Sequence, residues 1–231
     1  MRHVREASTS RSWIDNIHIE PHIYSFFGYH RVSDHLPMAE EQQSTSPPPP
    51  DSLINKEHGL KYWEGVQPDV AGMLGGIPAV SRVDLQGSRN FLAKLRIGSK
   101  SGMKVAAAAL EGGAGIGRIT EGLLVHVATE VDVVEPVAKF TTALEAKQIK
   151  GVRNIYTMGL EEWAELRPEK ELKYDLVWVQ WCVGHLTDEQ LSRFLDRCKE
   201  VLSEGGLIVF KENLSTEDGD VHDEVDSSVT R

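Results

Sequence analysis

Cysteine is scarce in this chain, with Cys182 and Cys198 the only two in 231 residues. They have neither the C-x-x-C spacing of a redox or zinc pair nor the density of a disulfide-stapled secreted domain. They read as free thiols in a reducing compartment, and the chain is expected in the cytoplasm and also in the nucleus. No metal-ligand spacing stands out, so no metal is expected. Long apolar runs are lacking too. Nothing approaches the ~20 residues needed to cross a bilayer and the N-terminus has no apolar signal core, so no membrane is expected among the partners. Arg2, Arg5 and Arg11 lend the first residues a faint transit-peptide texture, which Glu6 and Asp15 weaken. Positive charge is in deficit, with 25 Lys and Arg against 35 Asp and Glu and a formal net charge of −10. That balance argues against a nucleic-acid partner and suits a basic one, although solubility alone explains it equally well. Internal repeats are absent, and the length suits one domain with appendages, expected to be a monomer.

What is present divides at a proline run. Residues 1–52 are rich in His and Ser and close on Pro47-Pro48-Pro49-Pro50, a stiff polyproline spacer without a core of its own. This extension is expected to be disordered, with Ile17, Ile19, Ile23, Tyr24, Phe26 and Phe27 the alternative of a short docking segment. The folded domain is expected over residues 53–231. Its strongest local signal is Lys104 to Arg118, where an apolar strand-like run feeds Gly113-Ala114-Gly115-Ile116-Gly117 and helical spacing follows. Glycines there permit backbone angles that side chains forbid, and a helix N-terminus offers free N–H groups. The next strand-like run ends in Glu135, roughly 20 residues after the glycines, the distance at which such turns grip a ribose. Both dinucleotide and S-adenosylmethionine enzymes meet that description, as does an ordinary strand-to-helix turn. Arg118 stands where the dinucleotide pattern wants a third small residue.

Strand-like runs at Val105 to Leu110, Val131 to Glu135, Asn154 to Met158, Tyr174 to Val179 and Leu207 to Lys211 alternate with helical candidates. These lie at Ile116 to Val127, Ala138 to Lys147, Leu160 to Glu165 and Asp188 to Leu202, after a helical entry to Tyr62-Trp63 and a helix from Gly87 to Lys94. Thr187 and Gln190 form a capping box for the last helix, and Gly205-Gly206 reads as its stop. The alternation predicts an α/β fold with a doubly wound, mostly parallel sheet, whose ligands sit past the carboxyl ends of the strands.

Those strand ends carry a family resemblance. Tyr62-Trp63, Gly72 to Gly76, Gly113 to Thr120, Val179 to Asp188 and Asp226 to Val229 resemble the α-N-terminal protein methyltransferases, which methylate the terminal amine of proteins starting X-Pro-Lys or X-Pro-Arg. The resemblance covers residues ~55 to 231. It implies a Rossmann-like class I methyltransferase fold, S-adenosyl-L-methionine as cofactor and basic protein N-termini as partners. On the cofactor side it implies Gly113 and Gly115 as the close-approach turn, Arg118 for the methionine carboxylate and Glu135 for the ribose hydroxyls. Pro136 and Val137 would lie beside the adenosine, Leu160 and Glu161 flank the adenine, and Gln180 touch the methionine portion. Glu135 stands where most members carry Asp, and Glu161 where members carry an amide. On the substrate side it implies Trp181 stacking on the second-position proline, Trp63, Leu74 and Val80 as walls, and Tyr62 as a gate. Asn213 would hold the first residue, Asp223 and Glu224 the cationic third residue, with Ser228 beside them.

The chemistry of these residue types agrees with those roles. A guanidinium binds a planar carboxylate bidentately. An α-amine has a pKa near 8 and is partly protonated at neutral pH, so a base is useful; Asp226 and His185 match the family's pair for that task. Two departures bear on the fold and site. Glu111-Gly112 replaces an Asp-Cys pair at the end of the first strand. Only five strands are legible before Arg231, whereas the fold has seven, so the C-terminal hairpin is expected to be missing and the fifth strand's edge open. An inactive, truncated methyltransferase-like binding protein is therefore one alternative. A small-molecule or base methyltransferase is the other, although Gln180-Trp181-Cys182-Val183 is not the Asn-Pro-Pro-Tyr-like loop expected of enzymes acting on base amines.

Overall fold

The computed structural model describes residues 48–168 and 172–231, together with the backbone of Ile23–Phe27. That isolated piece is β1 (Ile23–Phe27), and the remaining strands of the main sheet are β2 (Ala106–Gly112), β3 (Ala128–Val134), β4 (Val152–Tyr156), β5 (Tyr174–Gln180) and β6 (Leu202–Glu212). They lie side by side in the order β1-β6-β5-β2-β3-β4, every pair parallel. All five strands read from the sequence are present. Their order reverses between β2 and β5, where consecutive crossovers part to opposite sides and leave a crevice at the carboxyl ends.

Burial on both faces explains the near-continuous apolar runs. In β5, Leu176 and Trp178 point into one layer with Leu92, Leu124, Val131 and Val209. The intervening Val177 and Val179 point into the other, with Leu110, Trp163, Phe194 and Ile208. The first layer is covered by α3 (Val80–Lys94) and α4 (Arg118–Gly122), the second by α6 (Leu160–Glu165) and α7 (Asp188–Val201). A smaller cluster, Ile116, Val137 and Phe140 with Leu60, Trp63 and Met73, fastens α1 (Lys56–Gly65) and α2 (Val70–Met73) across the carboxyl ends beside α5 (Ala138–Ala146).

Several boundaries differ from the sequence reading, each for a local reason. The helix expected over Ile116 to Val127 is the short α4 followed by a single 3-10 turn over Leu124–His126. Gly122 packs so closely on Leu85 that a Cβ would lie 2.6 Å from its Cδ1, and the helix ends there. The α7 box forms as expected, Thr187 Oγ1 accepting from Gln190 N and Gln190 Oε1 accepting from Thr187 N. The helix stops at Val201, however, and Gly205-Gly206 lie within β6, where the register against β5 shifts. Most consequential is the edge expected to be open. Here β1 pairs with β6 from Ile23↔Ile208 to Phe27↔Glu212, so the extension supplies the strand that meets those backbone groups. After β6 the chain forms a separate antiparallel pair, β7 (Val221–Asp223) and β8 (Ser228–Thr230).

Candidate active site

The crevice at the carboxyl ends of β2, β3 and β5, roofed by α1, holds a cavity of about 1140 Å³, its open mouth included. Its floor is the glycine turn. Gly113, Gly115 and Gly117 have φ of 68°, 55° and 78°, in the left-handed region. A Cβ on Gly113 would lie 2.5 Å from that of Cys182, and one on Gly115 would lie 2.6 Å from Met73 Sδ. The turn is held by Glu135, whose Oε2 accepts from Gly115 N at 2.8 Å and whose Oε1 accepts from Val137 N at 2.9 Å. Burial raises the Glu135 pKa, and these two backbone N–H groups oppose the rise. Glu111, at the departure noted above, takes a hydrogen bond of 2.5 Å from Thr120 Oγ1. Burial pushes its pKa up to about 8, against the pull of Thr120 and Arg118.

All nine residues expected at the cofactor line this one cavity: Gly113, Gly115, Arg118, Glu135, Pro136, Val137, Leu160, Glu161 and Gln180. Arg118 and Gln180 meet at a residue that was not singled out. Asp84, on α3, accepts from Arg118 Nη1 at 2.6 Å and from Gln180 Nε2 at 2.9 Å, and it also accepts from Lys211 Nζ. Its signal was available in the sequence. Asp84, Ser88 and Leu92 recur at helical spacing, and all three are buried.

Trp63, Trp181 and His185 line the same cavity. Trp181 follows β5 with φ 56° and donates its backbone N–H to Lys211 O at 3.0 Å. The loop after it is fixed by Glu212, whose Oε1 accepts from Cys182 N and Val183 N at 2.9 and 3.2 Å. Burial pushes the Glu212 pKa up to about 7 against those N–H groups. Trp63 Nε1 donates to His185 Nε2 at 3.0 Å. Burial lowers the His185 pKa, and Asp226 acts in the opposite direction. Both contact α1 at Gly59, where a Cβ would lie 3.1 Å from Asp226 O and 3.4 Å from His185 Nδ1. The roof is latched by Asn55 N, which donates to Ser227 Oγ at 2.8 Å, and by Lys56 Nζ, 2.7 Å from Glu161 and 2.6 Å from Glu162.

The other expected substrate residues lie off the cavity wall. Tyr62 is exposed, its ring edge-on to Trp63 at 5.3 Å. Leu74 caps the end of α2 and Val80 opens α3, and both are half-buried. Asn213, Asp223 and Glu224 are exposed, and Asp223 Oδ1 caps its own turn by accepting from Val225 N at 2.8 Å. Asp226 and Ser228 flank the cavity-lining Ser227, with Ser228 N donating to Asp226 Oδ1 at 3.1 Å. Besides Asp84, the sequence reading gives no role to Glu212, Lys211, Cys182 or Ser227, whose parts in the site come from tertiary contacts.

The sequence pattern of the AdoMet-dependent proline di-methyltransferases matches residues 51–231. The alpha N-terminal protein methyltransferase 1 of Schizosaccharomyces pombe is 44% identical over 176 residues, 74% of this chain and 76% of that protein. The human N-terminal Xaa-Pro-Lys N-methyltransferase 1 is 43% identical over 175 residues, 74% of this chain and 75% of that one. A solved SAM-dependent methyltransferase of Leishmania major superposes with a TM-score of 0.66 at 35% identity, covering 76% of this chain and 67% of that one. With the switch-point crevice, the glycine turn and the acidic residue after β3 in place, the chain belongs to this family of S-adenosylmethionine-dependent protein N-terminal methyltransferases.

Proposed function

We propose that this chain transfers methyl groups from S-adenosylmethionine to the free α-amine of proteins beginning X-Pro-Lys or X-Pro-Arg. The observation that carries the reading is one cavity lined by both sets of groups, the glycine turn with Glu135 and the pair Trp181 and His185. The residues present fit the cofactor. Side chains on Gly113 or Gly115 would fill the cradle, Glu135 presents a buried carboxylate toward a ribose, and Arg118 presents a guanidinium toward a carboxylate. S-adenosylmethionine supplies an electrophilic methyl group on a sulfonium. Pro136 and Val137 bear on the adenosine, Leu160 and Glu161 on the adenine, and Gln180 on the methionine portion. Leu60 and Trp63 of the α1 roof shield part of the cavity from water, which strengthens the charges beneath them.

Trp181 offers the flat face for the second-position proline, and Trp63, Leu74 and Val80 wall the path, with Tyr62 at its entrance. Asn213 binds the first residue and Asp223 and Glu224 the cationic third, with Ser228 beside them. The amine must lose a proton before its lone pair is available, and Asp226 with His185 holds that proton. A neutral imidazole whose Nε2 accepts from Trp63 carries its proton on Nδ1, so in this arrangement the Asp226 carboxylate is the first acceptor. The protein acts as a monomer in the cytoplasm and nucleus, where basic N-termini of this kind are its partners.

Incubation of the chain with a Ser-Pro-Lys peptide and S-adenosylmethionine should add methyl groups to the peptide's N-terminus, read by mass spectrometry. N-acetylation should abolish the reaction, and Glu at the third position should nearly do so through like-charge repulsion. Methylation of the acetylated peptide on its lysine would overturn the α-amine assignment.

A further inference from the structure

The carboxylate of Asp84 does not line the cavity, yet it gathers three donors from three different elements. We propose that Asp84 is a positioning residue that ties the cofactor's methionine end to the tryptophan platform for the substrate proline. The proposal rests on the reading of the cavity given above.

Its first arm runs to the cofactor side. Arg118 and Asp84 have side chains 8% and 2% exposed, so this ion pair is out of water, where an unpaired charge is costly. With Nη1 directed at Asp84, the remaining fork of the guanidinium serves a planar carboxylate in the cavity. Gln180 is oriented by the same residue. Trp178 Nε1 donates to Gln180 Oε1 at 3.2 Å, and Gln180 Nε2 donates to Asp84 Oδ1 at 2.9 Å. An indole N–H only donates and a carboxylate only accepts, so the amide cannot flip. Both groups facing the methionine end therefore take their direction from one carboxylate.

The second arm runs to the substrate side. The guanidinium of Arg118 lies 5.5 Å and the ammonium of Lys211 5.9 Å from the Trp181 ring centroid. Both are within cation–π range, and both are tethered to Asp84. Lys211 is further placed by Ser88 Oγ at 3.0 Å. Trp181 needs such support, because a non-glycine residue at φ 56° persists only where its surroundings enforce it. Its indole Nε1 is buried without a hydrogen-bond partner among the described residues, so ring position depends on packing and on these two cations. Displacing Asp84 thus moves both ends of the cavity at once, whereas displacing Lys211 moves only the platform.

The test compares wild type with Asp84→Asn, Lys211→Met and the double variant, measuring calorimetric Kd for S-adenosylmethionine, KM for a Ser-Pro-Lys peptide, and thermal unfolding. Asp84→Asn should raise the cofactor Kd about tenfold or more and raise the peptide KM as well, since an amide presents its own N–H groups to donors. Lys211→Met should raise the peptide KM about fivefold while leaving the cofactor Kd within about threefold of wild type, a split that a purely structural role does not produce. The double variant removes one charge of each sign and guards against misfolding of the single one, and its cofactor Kd should stay raised about tenfold. A folded double variant binding the cofactor as wild type does would overturn the proposal. So would Lys211→Met changing both affinities equally, or neither. If the wild type itself failed to bind S-adenosylmethionine, the site reading beneath the proposal would fall with it.

Discussion

The imidazole of His185 lies under α1 with its Nε2 accepting the Trp63 indole N–H at 3.0 Å. A donor on Nε2 stabilises the neutral ring, and burial does the same, while the charge of Asp226 favours the cation. Replacing Trp63 by Phe keeps an aromatic wall but removes the donor, so the His185 pKa should rise toward its ordinary value. The acid limb of the kcat/KM profile should then move to higher pH in Trp63→Phe. An unchanged acid limb would show that His185 takes no part in the proton transfer or that its titration is set elsewhere. At this scale the sequence displayed residue types and spacing but not partnership. Arg118, past the end of β2, and Gln180, the last residue of β5, were legible as cavity residues from those places. Asp84, which orients both, sits 34 residues before Arg118 and 96 before Gln180, on a helix that carries no motif.

The glycine turn between β2 and α4 shows how an element depends on what crosses it. Gly113 and Gly205 share a left-handed φ, 68° and 71°, but differ in surroundings. A Cβ on Gly113 would meet Cys182 at 2.5 Å, whereas one on Gly205 would meet nothing within 4 Å. Gly205→Ala should therefore cost only backbone strain, ~1 kcal/mol, with cofactor binding intact. Gly113→Ala adds a steric clash to the same strain, so its melting temperature should fall further and its S-adenosylmethionine affinity should drop at least tenfold, read by thermal unfolding and calorimetry. Equal losses in the two variants would mean the cradle has slack that the geometry denies. The turn was legible because strand, glycines and helix are consecutive, as were all five central strands. The break after α4 was not, because it depends on Leu85 fitting against Gly122 from another helix. Neither was β1, whose pairing with Ile208 to Glu212 joins segments at opposite ends of the chain and depends on an edge that the local pattern leaves open.

Across the whole molecule, carboxyls whose pKa burial raises link stability to pH, with Glu111, Glu212 and Glu135 among them. Burial raises the Glu111 pKa from an ordinary 4.5 to about 8 and that of Glu212 from 4.5 to about 7. Each group binds a proton more tightly folded than unfolded, so its stabilising effect is complete below pH 4.5 and is lost as pH rises through the folded value. The His185 shift has the opposite sign. Its pKa is lowered from 6.5, so it destabilises the fold only as pH falls below 6.5, leaving the interval from there to about 8 to the raised carboxyls. In that interval the melting temperature should decline steadily, each group contributing up to ~1.36 kcal/mol per pH unit while protonated, or about 2–4 °C for each kcal/mol in a domain of this size. Glu111→Gln preserves an acceptor for Thr120 Oγ1 but cannot ionise, so it should flatten the upper part of the decline and melt higher than wild type at pH 8. Thermal unfolding across that range on both proteins checks it. If the two slopes were equal, Glu111 would be ionised in the folded protein at neutral pH, paired with Arg118, and the charge inside the cavity floor would be one unit more negative than its burial implies.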